Sequence, residues 1–268
     1  MAGEVVTIKH KDFSLDKAVK HIESIMSDSN DFSEVSNWSS LNNLTYKNGI
    51  YIKNTALFVD IRESSNFLST HSTSVVARLY RSYISEIVMI LRSFYCCKEI
   101  NIVGDCVSAI FIEDKEATIN TYSGDQSDVI ESLKAASMIG PTITIINNLF
   151  EKKYHSYKPI KVGIGIASGK ALIVKAGESG SGISKPIFLG ENINLASHLC
   201  DKANSENFDA ILVNKLLKNN SNHFEAGTQK EPFSDWLSEV PETIDGEVCY
   251  GGSFYRVNIN ERAQELKQ

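Results

Sequence analysis

The sequence lacks long apolar runs, dense basic blocks and a signal peptide. No apolar run approaches the roughly 18 residues that a membrane-spanning helix needs, and residues 1–7 have neither a basic start nor an apolar centre. The 33 acidic residues outnumber the 27 Lys and Arg, so the net charge of −6 argues against a nucleic-acid-binding surface. These absences predict a cytoplasmic protein without direct membrane or nucleic-acid contact.

Metal-binding patterns of cysteine and histidine are also missing. The five cysteines are an odd number without the paired spacing of a zinc site, so reduced thiols are expected. Residues 177–182 are rich in glycine but lack the Gly-Lys-Ser/Thr ending of a phosphate-binding loop, which favours a flexible hairpin tip. Apolar residues make up 42% of the chain, enough for an ordinary buried core.

Hydrophobic periodicity predicts a mixed α/β chain. Apolar residues recur at helical spacing in four segments, residues 14–27, 67–95 and 127–154 and the stretch from residue 190. Strand-like runs are expected in residues 56–61, 100–111, 160–166, 171–174 and 210–213, with two short strands in 44–52 around Asn48-Gly49. The two runs 160–166 and 171–174 suggest a hairpin around Gly169. Residues 27–43 read as a loop, and residues 260–268 as a mobile tail.

The strand at residues 56–61 ends on a carboxylate. Asp60 follows an almost continuous apolar segment, and Ser64 and Ser65 precede the next helical pattern. Serines at a helix start can cap it, and its free N–H groups can hold an anion. Asp60 can be a helix cap or a metal ligand; taken alone, the cap is the common use.

A second carboxylate lies in the hairpin of residues 100–111. Gly104-Asp105 separates two apolar runs, which places Asp105 at a turn. Asp105 taken alone can be a simple turn residue. If the hairpin lies beside the first strand, Asp60 and Asp105 converge, and two hard oxygen ligands suit magnesium or manganese.

The helix that begins after Gly190 carries two further candidates. Its apolar residues predict a core-facing side, which leaves Asn194 and His198, four residues apart, together on another face. Either residue can bind a ligand or make only local or interface contacts.

Four motifs in order resemble class III nucleotidyl cyclases. They are Phe58-x-Asp60-Ile61-x-x-Ser64-Ser65, Val103-Gly104-Asp105, the strand from Gly163 to Gly169, and Gly190-x-x-Ile193-Asn194-x-Ala196-Ser197. The resemblance covers roughly residues 52–258, with residues 1–51 as an N-terminal extension and 259–268 as a tail. It implies a ferredoxin-like α/β (α+β) domain, with helices packed on an antiparallel sheet, that forms a head-to-tail homodimer.

The resemblance also implies the roles of residues. Asp60, Asp105 and the Ile61 carbonyl would bind two divalent ions, Mn²⁺ or Mg²⁺. The following loop, with Glu63, Ser64 and Ser65, would cradle the triphosphate of a nucleoside triphosphate. Asn194 of the partner protomer would orient the ribose in a shared active site. The 3′-hydroxyl would attack the α-phosphorus and release pyrophosphate.

The sequence departs from the family pattern at three positions. His198 stands where the family has a transition-state arginine, so His198, Arg62 or Lys185 would supply that charge. Arg62 can contact phosphate or form a surface ion pair. At the two positions that read the purine, the chain has Asn101 and Ile187, which match neither adenylate nor guanylate cyclases.

Three features together resemble the bacterial pyrimidine cyclases of Pycsar anti-phage defence. They are the loss of both purine-reading residues, Arg62 directly after Asp60-Ile61, and a stand-alone cyclase domain with a short N-terminal extension. That resemblance implies conversion of UTP, or else CTP, to a cyclic nucleotide that activates a separately encoded effector; UTP is favoured. Two alternatives stay open. One is an adenylate or guanylate cyclase with an atypical base pocket, and the other is an inactive cyclase-like domain that binds a nucleotide.

Overall fold

A computed structural model describes residues 10–27, 31–36, 38–114, 126–178, 183–226 and 230–267. The chain forms two compact units. The first unit comprises Met1–Ile52 and Lys170–Gly190, and the second comprises Lys53–Gly169 and Glu191–Gln268.

The α-helices are α1 (Leu15–Ser27), α2 (Phe67–Thr70), α3 (Thr73–Arg92), α4 (Ser127–Lys153), α5 (Glu191–Lys202), α6 (Lys215–Asn220) and α7 (Val257–Lys267). The strands are β1 (Asp31–Glu34), β2 (Asn48–Ile61), β3 (Cys97–Val103), β4 (Cys106–Phe111), β5 (Val162–Glu178), β6 (Ile183–Leu189), β7 (Ile211–Asn214), β8 (Glu225–Ala226), β9 (Glu231–Pro232), β10 (Ser238–Glu239) and β11 (Cys249–Gly252).

The sheet of the second unit has a ferredoxin-like centre. The elements β2, α3, β3, β4, α4 and β5 follow one another along the chain, and their strands lie side by side in the order β5, β2, β4, β3. This order confirms the predicted fold. Strands β7, β11 and β10 extend the sheet beyond β5. β5 and β7 are parallel, so the sheet is mixed rather than antiparallel throughout.

One face of this sheet packs against α3 and α4. Leu57, Val59 and Ile61 alternate along β2 and are buried in the same cluster as the apolar faces of both helices. α4 is confirmed as one long helix, and Pro141 lies inside it without dividing it. Among the described residues, α4 alone is long and apolar enough to cross a membrane, yet 61% of its most apolar window is buried. Burial of this kind is typical of a core helix.

The single helix predicted over residues 67–95 is instead two helices. α2 ends at Thr70, and α3 begins at Thr73 after His71 adopts an extended conformation. The His71 ring accepts a hydrogen bond from the Lys158 N–H through Nε2 at 3.0 Å and lies against Phe67. These tertiary contacts fix His71 outside the helix, which sequence periodicity does not report.

Two predicted hairpins are instead continuous strands. β2 runs through Gly49 for 14 residues, and β5 runs through Gly169 for 17 residues. Both glycines allow a close approach: a Cβ on Gly49 would lie 2.7 Å from Phe32 Cδ1, and one on Gly169 would lie 2.6 Å from Asn192 Cβ. The glycines therefore serve packing rather than turns. The hairpin actually joins β5 to β6. Of its predicted tip, residues 177–182, the first two end β5, and residues 179–182 lie outside the described residues.

Two segments, one in the N-terminal part of the chain and one at its C-terminal end, also differ from the prediction. Residues 27–43, expected to be a loop, contain β1 and the 3₁₀ helix Trp38–Asn43, while the predicted first helix is confirmed as α1. The tail is not mobile through Lys267, because it forms α7, which packs on α4. Asn148 Nδ2 donates to the Ala263 carbonyl oxygen at 2.7 Å, and Ala263 is fully buried.

Candidate active site

Two aspartates meet at one end of the central strands. Asp60 is the penultimate residue of β2, and Asp105 lies in the two-residue turn between β3 and β4. β2 pairs with β4 up to Val59 and Val107; Asp60 comes directly after Val59 and Asp105 two residues before Val107, so both lie just beyond the same end of the pairing. Gly104 makes the turn with a φ of +64°, a left-handed conformation that favours glycine. The predicted convergence of Asp60 and Asp105 is therefore present.

The two carboxylates repel each other. Burial and then the charge of Asp105 raise the pKa of Asp60 to about 6, and Arg62 partly offsets the rise. Asp105 Oδ2 is buried and has no hydrogen-bond partner among the described residues. A divalent cation would relieve both conditions, because it attracts both charges and takes oxygen ligands. Since no cluster of three metal-ligating side chains occurs in the described parts of the chain, backbone or substrate oxygens would complete the coordination. Ile61, whose carbonyl is a predicted ligand, directly follows Asp60.

Arg62 links the carboxylate pair to helix α5. Its Nη2 lies 3.5 Å from Asp60 Oδ2, and its Nη1 donates to the Asp201 carbonyl oxygen at 2.7 Å. Gly163 leaves room for the guanidinium, since a Cβ there would lie 3.0 Å from Arg62 Cζ. The Arg62 side chain is only 18% exposed, so its contact with Asp60 is not the ion pair on the protein surface that the sequence left open.

A cavity of about 980 Å³ opens beside Arg62. It is lined by Arg62, Glu63, Asn66, Phe67, Ser69, Thr70, Lys158, Pro159, Lys161, Asn204, Ser205 and Glu206. Sequence reasoning missed Lys158 and Lys161. Lys161 directly precedes β5, the neighbour of β2 in the ferredoxin-like order, so this position was the available signal. The Arg62 N–H also donates to the Lys161 carbonyl oxygen at 2.8 Å, which ties the two segments together.

The predicted phosphate loop forms one wall of this region. Ser64 and Ser65, expected to cap the helix that follows, instead begin a 3₁₀ helix, Ser64–Asn66, and the N-cap residue of α2 is Asn66. Glu63 precedes it in a left-handed conformation with a φ of 56°. Burial and the charge of Asp105 raise the pKa of Tyr80, and a hydrogen bond with Ser64 partly offsets that rise. The loop thus lies close to Asp105 as well as to the cavity.

Asn194 and His198 lie on the exposed face of α5, one turn apart. His198 Nδ1 contacts Asp245 Oδ2 at 2.5 Å, so its ring is held by a carboxylate of the same chain. The opposite face of α5 packs tightly on β5, since a Cβ on Gly165 would lie 2.1 Å from the Ala196 carbonyl oxygen. The helix is therefore fixed while its two candidate residues face outward.

The two predicted base-reading positions lie in different compact units. Asn101 is on β3 of the second unit, where its Nδ2 donates to Glu99 Oε1 at 3.1 Å. Ile187 is on β6 of the first unit and is 42% exposed. Lys185, an alternative cation, is also exposed on β6.

The fold resembles that of solved cyclases. The adenylyl cyclase CyaB from P. aeruginosa matches with a TM-score of 0.62 and 17% identity over 78% of this chain and 97% of its own. The guanylyl cyclase Cya2 matches with a TM-score of 0.59 and 14% identity over 78% of this chain and 95% of its own. At these identities the likeness shows the fold alone.

Sequence comparison adds the family. Residues 49–229 match the adenylate and guanylate cyclase catalytic domain. A uridylate cyclase from Gulbenkiania mobilis is 41% identical over 96% of this chain and 98% of its own length. A uridylate cyclase from Treponema porcinum is 34% identical over 69% of this chain, and the match spans 60% of that protein. The predicted enzyme class is thus confirmed: the chain belongs to the class III nucleotidyl cyclases.

Proposed function

We propose that the protein is a metal-dependent uridylate cyclase that converts UTP to cyclic 3′,5′-UMP and pyrophosphate. The observation that carries this proposal is the half-buried pair of Asp60 and Asp105, with Arg62 joining it to a cavity that Lys158 and Lys161 also line. Carboxylates that attract metal ions and cations that attract phosphate are the two halves of a triphosphate site. The two relatives named uridylate cyclases support UTP as the substrate.

Asp60 and Asp105, with the Ile61 carbonyl, would hold the divalent ions. The unpartnered Asp105 Oδ2 and the mutual repulsion of the carboxylates support this assignment. When bound, Mn²⁺ or Mg²⁺ would lower the pKa of the attacking 3′-hydroxyl and neutralise charge on the phosphates.

The cavity would hold the triphosphate tail. Lys158, Lys161 and Arg62 give it positive charge in a protein whose net charge is −6. Glu63, Ser64 and Ser65 would border the phosphates. A local cluster of cations is what an acidic protein needs to bind a polyanion.

The active site is proposed to be shared between two copies in a homodimer. Asn194 faces outward on α5, which suits an amide that orients the ribose in the partner's site. His198, held by Asp245, is proposed to replace the family's arginine near the transferring phosphorus. The attacking oxygen forms a bond to the α-phosphorus while the bond to the pyrophosphate breaks.

Asn101 and Ile187 are each proposed as base-reading residues, because they occupy the two family positions that read the purine. Asn101 is a hydrogen-bonding side chain on β3, and Ile187 offers only packing.

We place the catalytic domain in residues 52–258. The cyclic nucleotide is proposed to act in the cytoplasm as a second messenger of anti-phage defence that activates a separate effector, as the resemblance to the Pycsar cyclases implies.

Product identification tests the proposal. The purified protein is incubated with equal amounts of the four ribonucleoside triphosphates and Mn²⁺, and the products are identified by mass. Cyclic UMP is the expected main product, and cyclic CMP would keep the pyrimidine class but reject UTP. A cyclic purine would reject both, and the absence of any product with Mn²⁺ or Mg²⁺ would favour the inactive domain.

A further inference from the structure

The position of Arg62 is unusual for a side chain whose task is to bind phosphate. Its guanidinium faces Asp60 Oδ2 at 3.5 Å and donates to the Asp201 carbonyl oxygen at 2.7 Å and to Cys200 Sγ at 4.0 Å. All three partners belong to the protein, and Asp60 is a proposed metal ligand. A fixed positive charge at this place repels a divalent ion that approaches the same carboxylate.

These contacts do not satisfy the whole guanidinium. Arg62 Nε is buried and has no hydrogen-bond partner among the residues that the structure describes. A buried donor without a hydrogen-bond partner costs free energy, so an arrangement that gives Nε an acceptor would be more favourable. Arg62 also lines the cavity that contains Lys158 and Lys161, where an anion would offer oxygen acceptors.

We propose that Arg62 is an internal counter-cation of Asp60 that the divalent ion displaces and that a phosphate group then accepts. This inference rests on the proposed function. Without metal, Arg62 neutralises Asp60; with metal, it is released from that carboxylate and turns toward the cavity. The Asp201 carbonyl anchors the guanidinium near the end of α5 in both positions.

The proposal makes metal and phosphate binding cooperative. Release of Arg62 by the metal increases the positive charge available to phosphate, and phosphate bound to Arg62 frees Asp60 for the metal. By linkage, each ligand strengthens the other by the same factor. The protein would therefore favour the metal–nucleotide complex over either component alone.

Binding of Mn²⁺ alone, followed by electron paramagnetic resonance, tests the first step. Arg62→Gln should bind Mn²⁺ roughly threefold to fivefold more tightly than the natural protein, the range for loss of a partly exposed ion pair. Lys158→Gln is the matched control, because it removes a positive charge from the same cavity while Arg62, the cation that faces Asp60, stays in place; it should leave Mn²⁺ affinity unchanged. Unchanged or weaker binding in Arg62→Gln would overturn the proposal.

A second measurement needs no substitution. An arginine-specific dicarbonyl reagent is applied to the natural protein with and without Mn²⁺, and modified peptides are identified by mass. Arg62, only 18% exposed, should become at least about twofold more reactive with Mn²⁺. Exposed Arg92 should not change. Equal reactivity of Arg62 in both conditions would reject its displacement.

The two proposals fail in different ways. If the natural protein and Asp60→Asn bind Mn²⁺ equally poorly, the metal site of the proposed function is wrong. If Asp60→Asn abolishes the binding that the natural protein shows, while Arg62→Gln changes nothing, only the counter-cation role is wrong.

Discussion

The carboxylate pair and the outer face of α5 differ in how completely a single chain provides their partners. Asp60 and Asp105 lie together, with Arg62 against Asp60, inside one compact unit. Asn194 and His198 instead face solvent on a helix whose other side is packed on β5. One region finds its charged partners within its own chain, and the other is open to a second molecule. The difference teaches that one chain supplies all the proposed metal ligands, whereas the proposed ribose-binding face is suited to a shared site.

Removal of either carboxylate is expected to have the largest effect. Asp60→Ala and Asp105→Ala should each lower kcat by roughly 10³-fold or more, because loss of a metal ligand removes several kcal/mol of transition-state stabilisation. Cyclic nucleotide release is the measurement, with gel filtration to check that assembly persists. Asp16→Ala, an exposed carboxylate on α1, is the matched control. Full activity in either active-site variant would contradict the metal assignment.

Mixing two inactive variants tests whether the open face serves a second copy. Asp105→Ala and Asn194→Ala should each be inactive alone. If sites are shared, random exchange of protomers restores one intact site in half of the dimers, which gives about a quarter of the natural activity. Each variant taken alone through the same mixing procedure is the control, and it should stay inactive. Failure of exchanged dimers to regain activity would place both residues in a site within one chain.

Substitution of Asp60 should also change the pH dependence of stability in the metal-free protein. The pKa of Asp60 is raised from 3.8 to about 6, so ionisation is harder in the folded state. Its stability contribution is therefore full below pH 4 and is lost as pH rises through 6. Asp60→Asn should gain on the order of 2 to 3 kcal/mol relative to the natural protein between pH 4 and pH 7.5.

Urea unfolding in the presence of a chelator measures this gain at both pH values. Asp16→Asn, on the exposed surface of α1, should show none of it. Mn²⁺ should then reverse the order, since it stabilises only the protein that retains its ligand. A gain for Asp60→Asn that is equal at pH 4 and pH 7.5 would mean that the ionisation of Asp60, which burial and then the charge of Asp105 oppose, is not its cause.

The same two regions show what the sequence can predict. The strand before Asp60 and the hairpin of Asp105 are local patterns, so their types and their convergence follow from short stretches of sequence. The contact of Arg62 with Asp201 joins residues 139 positions apart, and no local pattern reports it. Lys158 and Lys161 join the cavity for the same reason, through the order of strands in the sheet.

The wrong predictions of secondary structure concern residues whose local sequence pattern and tertiary contacts favour different conformations. Gly49 and Gly169 carry a turn signal in the sequence, yet they lie inside strands because Phe32 and Asn192 leave no room for a Cβ. His71 fits a helical pattern, but its ring is engaged by Lys158 and Phe67. In each case a contact with a residue distant in the sequence accompanies the local conformation, and a single sequence does not show which distant residue makes that contact.

The smallest effect is expected at the pair of His198 and Asp245, and it bears on the open face most directly. Both side chains are about half exposed, so Asp245→Asn should change the melting temperature little, as for most exposed ion pairs. If Asp245 orients His198 toward the phosphate of a second copy, kcat should fall by roughly 10-fold while KM is unchanged, the lower end of what an orienting partner contributes. His198→Ala should lower kcat at least as much. The double variant with Asp245→Asn should have the same kcat as His198→Ala, because Asp245 then has no imidazole to orient. Additive losses would mean that Asp245 acts independently of His198, and unchanged kcat in both variants would leave Asn194 as the only catalytic candidate on this face.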